Sequence, residues 1–517
     1  MAMEHVDKNW DLVVIGGGIT GAGVLREAVR NGFKTLLVEQ KDFAWGTSSR
    51  SSKLVHGGLR YLKDGHFGLT RESVKERDRL IQEAPGLVEA LEFHLPVYEK
   101  RKPGKWMMGA GLMLYDLIAG KWNHRYYSRN DFLVLEPLVE TLGLKGGFSF
   151  SDAQVDDARL VLRLIADAEA SGGHALNYTR ASKLIRDVDG HIEGLMIEDV
   201  ETGQKTRIHT KRVVNATGAW AETIHRSPDR KKHIRPLRGS HLVFPGQIIP
   251  IKHTVSFFNP LDGRALFAIP WEGSVLVGTT DLDHNKPLSL EPGITDAEAE
   301  YLLREVNRIF PSLNLTLDQA VSSFAGVRPV VSEGNVSADK ESRDHVIWAD
   351  KGLVTVTGGK LTTFRVLAYD TLKAIMEDGS LETLSACNDR VFEAQTAKPP
   401  ASVLGADQFR TLWGRHGKKA LTIITGSAPE DLETIPGTKT LWAEISHGAS
   451  SEKIRHLDDL LLRRVRIGLL LREGGKEHMG RIRELCEKVL PWDDERWAKE
   501  TDDYFKLCKA CYSPCGS

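Results

Sequence analysis

A short apolar run followed at once by a glycine cluster constrains the fold of this chain more than any other feature. Residues 11–15, Asp-Leu-Val-Val-Ile, have the branched apolar composition of a buried parallel strand. Residues 16–21 continue this run as a G-x-G-x-x-G pattern. In that pattern Gly16 allows a tight turn, Gly18 lets a pyrophosphate approach the backbone, and Gly21 lets the following helix pack on the sheet. The sequence therefore predicts a Rossmann-like dinucleotide-binding unit.

A second apolar strand ends in an acidic residue at the spacing that a dinucleotide requires. Residues 35–39 end at Glu39, about 20 residues after the glycine cluster. A carboxylate at this position accepts hydrogen bonds from an adenosine ribose and disfavours the 2′-phosphate of NADP. We expect FAD or NAD, with the phosphates at the positive end of the first helix.

Two later turns favour FAD over NAD. Residues 213–218 form a strand and a small-residue turn that offers Thr217 and Gly218 to the cofactor. Residues 353–364 form a strand, a Gly-Gly turn and hydroxyl residues where a helix would begin. A helix start presents amides to a carbonyl edge, which suits a flavin because its pyrimidine ring gains negative charge on reduction. The candidate cofactor contacts here are Gly359, Leu361, Thr362 and Thr363.

Residues 46–61 crowd hydroxyls, glycines and cations directly after the dinucleotide-binding unit. We expect this serine-rich segment to line the cofactor. Its candidate cofactor contacts are Thr47, Ser48, Ser52, Lys53, Leu54, His56, Gly57 and Gly58.

Together these motifs resemble one flavoenzyme family. The fingerprint, the TSSRSSKLVHGGLRYL stretch, RGSH at 238–241, GVRP at 326–329 and GGKLTT at 358–363 are similar to aerobic, flavin-dependent glycerol-3-phosphate dehydrogenases. The serine-rich segment is the specific part, because the glycine turns alone are shared with many flavin amine and amino-acid oxidases. The resemblance covers most of residues 10–375. It implies FAD, oxidation of sn-glycerol 3-phosphate to dihydroxyacetone phosphate, and electron delivery to membrane quinone.

Several cations lie in or near these motifs and could converge on one anion. Arginine binds phosphate through two parallel hydrogen bonds, so a phosphomonoester suits such a group. Arg343 lies in a charged segment outside the family motifs. The candidate substrate contacts are Arg60, Tyr61, Arg328, Arg343 and Lys360.

Two histidines are candidates for the base that alcohol oxidation requires. The hydroxyl proton must leave while hydride moves from carbon to the flavin N5. His241 ends the RGSH motif, and His56 lies in the serine-rich segment. The resemblance places both beside the flavin and favours His241 with Arg328 as nearest to the reacting carbon. Which histidine takes the proton stays open.

The cofactor turns are spread along the chain, which predicts an α/β fold with a discontinuous, Rossmann-like FAD-binding domain. A helix is expected from Asp296 to Ile309, and several strands between 237 and 281 predict an antiparallel sheet over the flavin. The expected division is an FAD-binding domain of residues 10–95, 150–232 and 325–380, a substrate or cap domain of residues 96–149 and 233–324, and an all-helical C-terminal domain of residues 385–517.

The C-terminal domain carries two features without an assigned function. Residues 454–471 have leucines and arginines at helical spacing, and we expect their charges to form ion pairs or a solvated face. Those charged residues are Asp458, Asp459, Arg463, Arg464 and Arg466. Cys508, Cys511 and Cys515 form a terminal C-x-x-C-x-x-x-C pattern, while Cys387 and Cys486 are isolated. A solvated terminus is the plain interpretation, and a zinc, iron–sulfur or redox site is the alternative; our prediction contains no metal.

Composition excludes some classes of function. The chain has 69 Lys and Arg against 70 Asp and Glu, so no basic excess suggests a nucleic-acid partner. The first ten residues have no apolar core of a secretory signal, which predicts a protein of the cytoplasm or of the cytoplasmic face of the membrane.

One segment raises the question of membrane contact. Residues 105–122 are too short, and too interrupted by Asp116, to span a bilayer that needs about 20 apolar residues. Lys and Trp at both ends suit a helix that lies in the interface, whereas the alternative is a buried core helix. The resemblance favours peripheral membrane contact, with glycerol 3-phosphate and quinone as partners and a homodimer as a further expectation.

Three other functions remain open at this point. An oxidase of the same substrate that forms H2O2 from O2 would share every motif. A non-catalytic flavin electron-transfer subunit would bind FAD without reacting with the substrate. An amine or amino-acid oxidase is less favoured, because a carboxylate substrate does not require so many cations.

Overall fold

The computed structural model describes residues 6–59, 62, 65–226, 233–332, 345–376, 390–395 and 404–514. The strands of these residues are, in chain order, β1 (Leu12–Ile15), β2 (Thr35–Val38), β3 (Val88–Tyr98), β4 (Arg125–Ser128), β5 (Leu144–Val155), β6 (His174–Leu176), β7 (Thr179–Arg186), β8 (Ile192–Asp199), β9 (Lys205–His209), β10 (Val213–Asn215), β11 (His233–Pro245), β12 (Thr254–Phe258), β13 (Ala265–Trp271), β14 (Ser274–Gly278), β15 (Leu282–Asp283), β16 (Ser322–Ser332), β17 (His345–Asp350) and β18 (Leu353–Gly358). The helices are α1 (Ile19–Arg30), α2 (Phe67–Glu83), α3 (Lys105–Ala119), α4 (Arg129–Leu135), α5 (Asp157–Ala170), α6 (Ala221–Ile224), α7 (Asp296–Ile309), α8 (Phe364–Ile375), α9 (Ala406–His416), α10 (Lys419–Gly426), α11 (Trp442–Ser451), α12 (Ile467–Leu470), α13 (Met479–Glu487) and α14 (Asp494–Leu507).

The predicted Rossmann-like unit is present as a mostly parallel sheet. Its strand order is β17-β18-β10-β1-β2-β6, and only the pairing of β17 with β18 is antiparallel within these strands. The short apolar strands β1 and β2 are fully buried, because α1 packs on one face and the three-stranded sheet β7-β8-β9 packs on the other. Strands from three distant segments therefore bring the predicted glycine turns to one edge of the sheet.

A second, larger sheet forms the substrate side. Its order is β15-β11-β14-β13-β12-β3-β5-β4, with β16 paired along the other side of β11. The predicted antiparallel strands and the helix α7 are confirmed in this region. The predicted domain limits near 95, 150 and 325 fall inside β3, β5 and β16. Long-range pairing of these strands joins them to the substrate sheet, which local sequence patterns do not reveal.

The C-terminal domain is helical, as predicted, apart from one β-bridge between Thr434 and Leu441 in the described residues 404–514. Residues 454–471, whose leucines and arginines have helical spacing, form a π-helical segment at Asp459–Arg464 followed by the short α12. Arg466 has a φ of +61° between them, which interrupts the helix. The solvated-face alternative is wrong for the charges of this segment, because Asp459, Arg463, Arg464 and Arg466 are buried.

The cysteine tail also packs on the protein. Cys508 and Tyr512 are buried, so the expectation of a solvated terminus is wrong for this part of the tail. Burial raises the pKa of Cys508 to about 12 and that of Cys511 to about 11, which keeps both as thiols. None of the groups with metal-ligand geometry among the described residues contains a cysteine. Cys387 and Cys515 lie outside the described residues.

Helix α3 has apolar side chains on two sides, of which one is buried in the protein and the other is exposed to solvent. Leu112 and Tyr115 are buried, whereas Trp106 is 87% exposed and Leu117 is 62% exposed. The buried-core alternative for this segment is therefore wrong. Across the described residues, none of the helices combines the length and apolar character needed to cross a bilayer.

Candidate active site

One cavity of about 1760 Å³ lies between the two sheets. The glycine turns of the parallel sheet line one end, and β11, β13 and β16 line the other. A third wall consists of apolar side chains that extend to α3. These are Leu59, Leu62, Phe93, Leu95, Met107, Met108, Leu112, Phe150, Phe258 and Phe267.

The first turn has the close approaches that a dinucleotide-binding site needs. Gly16 has a φ of +111°, and a Cβ there would lie 2.6 Å from the Ala216 carbonyl oxygen. A Cβ at Gly21 would lie 1.9 Å from the carbonyl oxygen of Gly16, so only glycine lets α1 begin this close to the turn. Gly18 has no side chain to cap α1, and Gly18, Ile19 and Thr20 at this helix start line the cavity. These residues fit a pyrophosphate group.

Glu39 lies where a ribose contact is expected. Its carboxylate lines the cavity and accepts hydrogen bonds from the backbone N–H of Gly17 at 2.7 Å and of Lys41 at 2.9 Å. Burial raises the pKa of Glu39, although the two N–H groups oppose this shift. Two fixed donors orient the carboxylate, and its remaining lone pairs are suited to ribose hydroxyls.

Hydroxyls of the serine-rich segment connect three parts of the site. Ser48 Oγ accepts a hydrogen bond of 2.9 Å from the N–H of Ile19, at the start of α1. Thr47 Oγ1 donates one of 2.5 Å to the carbonyl of Val327 in β16. Ser52 Oγ and His241 Nε2 share a hydrogen bond of 2.9 Å. The segment thus fixes the dinucleotide turn relative to the predicted catalytic histidine.

Strand alternation explains why the RGSH motif contributes only half of its residues to the cavity. Arg238 and Ser240 point to the other face, where both hydrogen-bond to Glu298 of α7. Gly239 and His241 face the cavity. A Cβ at Gly239 would lie 2.1 Å from an Arg328 guanidinium nitrogen, so this glycine makes room for that arginine.

His241 is held rigidly and is neutral at neutral pH. Its ring stacks on Phe324 of the paired strand β16, with ring centroids 4.6 Å apart and 10° between the planes. Burial is the main cause that lowers the pKa of His241 to about 3, and the charges of Lys53 and Arg328 add to it. Nδ1 is buried without a hydrogen-bond partner. The neutral imidazole therefore keeps one nitrogen lone pair that can accept a proton, in the neighbourhood of the cations Lys53 and Arg328.

Arg328 and a second arginine share one carboxylate in the cavity. Arg328 donates to the Thr280 carbonyl at 3.1 Å, and its Nη1 lies 3.7 Å from an Asp281 oxygen. Arg264 Nη1 lies 3.8 Å from the other Asp281 oxygen. Both guanidiniums are about one quarter exposed, and both line the cavity. The contacts with Asp281, together with that of Arg264 Nε to an Asp262 oxygen at 4.0 Å, are longer than direct hydrogen bonds, so both cations can interact with an anion in the cavity.

The Gly-Gly-Lys turn closes the opposite wall. Gly359 has a φ of +72°, and Lys360 Nζ donates a hydrogen bond of 3.0 Å to Ser73 Oγ. Thr362 Oγ1 donates one of 3.3 Å to the carbonyl of His56. This contact joins the turn to the second candidate histidine, which also lines the cavity.

The structure brings most of the predicted residues together around the cavity. Those that line it are Gly16, Gly18, Glu39, Thr47, Ser48, Ser52, Leu54, His56, Thr217, Gly218, His241, Arg328, Gly359, Lys360, Leu361 and Thr362. Arg60, Tyr61 and Arg343 lie outside the described residues, so their assignment stays a prediction.

Five described residues of the prediction do not line the cavity, namely Gly21, Lys53, Gly57, Gly58 and Thr363. Lys53 differs most from its predicted placement. Its ammonium is fully buried and donates to both oxygens of Asp157 at 2.9 Å and to the Ser49 carbonyl at 2.6 Å. Lys53 thus anchors the start of α5, and its left-handed backbone, with a φ of +59°, separates its direction from that of Ser52.

Some cavity residues were not anticipated from the sequence. Trp45 and Trp220 lie beside the dinucleotide turn with ring centroids 5.9 Å apart. Arg264 follows an Asp-Gly pair that is typical of an ordinary hairpin turn, and it belongs to none of the motifs. It immediately precedes β13, and the pairing of β13 with β12 and β14 places it near Asp281, which Arg328 also contacts.

Comparison with known proteins shows the general class of protein to which this chain belongs. Residues 11–365 match the family described as FAD dependent oxidoreductase, and residues 385–497 match the C-terminal domain of alpha-glycerophosphate oxidase. The chain belongs to the FAD-dependent oxidoreductases, with FAD as its cofactor. The glycine turns and Glu39 described above fit this group.

The particular family follows from closer relatives. The aerobic glycerol-3-phosphate dehydrogenase of Bacillus subtilis is 40% identical over 374 residues, which are 71% of this chain and 67% of the relative. That of Staphylococcus aureus is 38% identical over 403 residues, which are 75% of this chain and 72% of the relative. This chain belongs to the aerobic glycerol-3-phosphate dehydrogenase family.

Solved structures support the same placement. The glycerol-3-phosphate dehydrogenase of Bacillus halodurans, complexed with FAD, has a TM-score of 0.76 and 28% identity, covering 98% of this chain and 96% of its own. The L-alpha-glycerophosphate oxidase of Mycoplasma pneumoniae, with a TM-score of 0.57, is 19% identical, and covers 72% of this chain and 95% of its own. The second likeness concerns the fold alone.

Proposed function

We propose that this protein oxidises the secondary alcohol of glycerol 3-phosphate to dihydroxyacetone phosphate and passes the electrons to a membrane quinone. The observation that carries the proposal is the arrangement on β11 and β16. There a neutral histidine and a guanidinium face the same cavity, beside a turn suited to a flavin. The substrate family rests on the named relatives.

The substrate phosphate binds at the arginine pair. Arg328 and Arg264 share Asp281, so a phosphate dianion can replace part of that shared interaction without leaving either guanidinium unpaired. Lys360 contributes a third cation from the opposite wall. Arg60, Tyr61 and Arg343 complete the predicted set.

The hydroxyl proton moves to His241. A neutral imidazole can accept it, and stacking on Phe324 together with the Ser52 hydrogen bond holds the ring in place. The bound phosphate offsets the charge of Arg328, which raises the low pKa of His241 in the substrate complex. FAD, held by the glycine turns and Glu39, would supply the acceptor for the hydride of the carbinol carbon. His56 is the alternative base on the flavin side.

The apolar wall supplies a route for a lipid-soluble electron acceptor. Met107, Met108 and Leu112 of α3 face the cavity, while Trp106 and Leu117 of the same helix face solvent. One helix thus connects the cavity with an exposed apolar surface, which suits a quinone that arrives from a bilayer. We infer peripheral membrane binding through α3.

The substrate is tested by anaerobic absorbance of the purified FAD-loaded protein. Addition of sn-glycerol 3-phosphate should bleach the flavin, while glycerol and glycine should not, because neither carries the phosphate that the arginine pair requires. A flavin that is bleached by glycine would indicate an amino-acid oxidase. One that none of the compounds bleaches would contradict the proposed reaction and favour a flavin electron-transfer subunit.

The base is tested by the rate of flavin reduction. His241→Ala should keep FAD bound and slow reduction by about 10²- to 10⁴-fold, since a positioned base contributes that much. His56→Ala is the matched control from the opposite wall. A large loss in that variant alone would assign the proton to His56.

The acceptor and the membrane are tested together. Reduced enzyme should be reoxidised by a soluble quinone analogue faster than by O2, and the enzyme should sediment with anionic lipid vesicles. Trp106→Ser with Leu117→Ser should reduce sedimentation and leave flavin reduction unchanged. Rapid formation of H2O2 would favour the oxidase instead. The homodimer stays a prediction that sedimentation velocity would measure.

A further inference from the structure

Three potential metal ligands meet on the face of the larger sheet that points away from the active-site cavity. Glu92 and His94 lie on β3, and His253 immediately precedes β12, which pairs with β3. One ligand atom of each lies within 4.8 Å of the others. Phe93 lines the cavity, so alternation along the strand directs Glu92 and His94 to the opposite face. The cluster is therefore separate from the flavin site.

His94 carries a buried nitrogen that lacks a hydrogen-bond partner. The side chain is 1% exposed, and its Nδ1 lies 2.7 Å from Glu136 Oε1. Its Nε2 makes no hydrogen bond, although a Glu92 oxygen lies 3.3 Å away. With the ring proton on Nδ1, a lone pair on Nε2 faces a carboxylate oxygen. Two electron-rich atoms this close are stabilised by a cation that binds both.

Glu136 orients both imidazoles in the way that metal sites require. It is buried, and the same oxygen that contacts His94 lies 3.1 Å from His253 Nδ1. The two rings are close, with centroids 4.4 Å apart. A carboxylate that accepts the Nδ1–H of a histidine leaves Nε2 as the ligand, and this pairing is typical of zinc-bound histidines.

We infer that Glu92, His94 and His253 bind a divalent transition-metal ion, with Zn²⁺ as the best match, and that Glu136 positions the two histidines. Two imidazoles and one carboxylate are a zinc ligand set that leaves a fourth position for water. Glu92 and His253 are partly exposed, with side-chain values of 44% and 28%, so an ion can enter from solvent.

A second cluster of the same residue types serves as an internal contrast. His416, His447 and Glu452 also have ligand geometry. However, both Glu452 oxygens accept hydrogen bonds from Arg159, and His416 Nε2 is 2.9 Å from Glu444. A guanidinium on the carboxylate repels a metal ion, so we expect no binding there.

The test uses tag-free, FAD-loaded protein from which metal has been removed by a chelator. Zn²⁺ titration by calorimetry should give one ion per chain and raise the melting temperature, because the ion joins β3 to β12. His253→Gln and Glu92→Gln should weaken binding at least tenfold, and Glu136→Gln about 10- to 100-fold. His447→Gln is the matched control and should bind like the unaltered protein.

Either of two kinds of result, in the unaltered protein or in the variants, would overturn the inference. One is the absence of Zn²⁺ binding at micromolar concentration in the unaltered protein. The other is binding that survives both His253→Gln and Glu92→Gln, or that is lost in His447→Gln. Since both of the varied ligands are partly exposed, folding of these variants is expected and melting curves would verify it.

Discussion

Two clusters of basic side chains in this molecule contain the same residue types but differ in their counter-charges. We call the first the interface cluster, because it joins the C-terminal domain to the FAD-binding domain. Its cations are Lys53, Arg463, Arg464 and Arg466, and its carboxylates are those of Asp42, Asp156, Asp157, Asp458 and Asp459. The second is the cavity cluster, which comprises Arg264, Arg328 and Lys360 with Asp262 and Asp281.

Each cation of the interface cluster is almost fully buried and contacts at least one carboxylate. Arg463 and Arg464 both bind Asp42, with Nε of Arg463 at 2.5 Å and Nη2 of Arg464 at 2.8 Å. Burial alone would raise the pKa of Asp42, but the charges of the two arginines outweigh it and lower the pKa to about 2. These charges serve the docking of one domain on another.

The charges of the cavity cluster are farther apart and more exposed. Arg264 and Arg328 share Asp281 at 3.7 to 3.8 Å, longer than a direct hydrogen bond, and each side chain is about one quarter exposed. The comparison shows that the length and exposure of the ion pairs, and not the presence of arginine, distinguish a buried structural cluster from one that is open to the cavity.

The largest expected effect breaks the interface cluster. Asp42→Asn removes the carboxylate that Arg463 and Arg464 share, which leaves the buried Arg464 with backbone carbonyl acceptors alone, so we expect a loss of about 3–5 kcal/mol in the free energy of unfolding. Urea denaturation of the FAD-loaded protein measures it. Asp503→Asn removes the exposed partner of Lys499 and should change stability by less than about 1 kcal/mol. Equal effects of the two changes would contradict the assigned difference.

The next effect concerns the cavity cluster. Arg328→Ala should lower kcat/KM for glycerol 3-phosphate roughly 10²-fold, because charge-assisted hydrogen bonds to the phosphate are lost. This change corresponds to a loss of about 3 kcal/mol in transition-state stabilisation. The melting temperature should stay close to that of the unaltered protein. Steady-state kinetics and a melting curve together separate the two outcomes. Near-normal kinetics would remove Arg328 from the phosphate site.

A smaller loss is expected at the second arginine. Arg264→Ala should lower kcat/KM about tenfold, which corresponds to about 1.4 kcal/mol of transition-state stabilisation. In that variant Asp281 pairs with Arg328 without competition from Arg264, and this pairing weakens the attraction of Arg328 for the phosphate. The exposed Arg304→Ala is a matched control outside the cavity. A loss equal to that of Arg328→Ala would make the two arginines equivalent.

The smallest expected effect is a pH dependence of stability that arises at His241. Burial lowers the pKa of this residue, and the charges of Lys53 in the interface cluster and Arg328 in the cavity cluster lower it further. The unfolded chain binds a proton at this residue near pH 6.5, whereas the folded one does so only near pH 3. Stability is therefore lost as pH falls through this window, by about 1 kcal/mol between about pH 7 and about pH 5.5. Urea denaturation should reveal a weaker acid dependence in His241→Gln. An unchanged dependence would contradict the neutral state of His241.

Much of the fold could be predicted because it depends on local patterns. The apolar runs of β1 and β2, the glycine turn and the helix α7 each follow from residues adjacent in the chain. Glu39 was found in the same way, since its spacing from the glycines is set by one strand–helix–strand unit.

The site was only partly predictable, for a physical reason that Lys53 and Arg264 illustrate. Both are cations near a turn, yet one is buried against Asp157 and the other lines the cavity. Which carboxylate meets a cation depends on strand register and domain docking, neither of which leaves a local pattern in sequence.

The sequence by itself determined the flavin-binding unit, the helical C-terminal domain and the motifs that supply His241 and Arg328. Only the tertiary structure decided that these two face one cavity beside Arg264, and that Arg463 and Arg464 close on Asp42. Local structure is set by backbone conformation and by the spacing of apolar residues. The pairing of charges is set by contacts between separate segments, 422 positions apart for Asp42 and Arg464, and these contacts form only when the chain is folded.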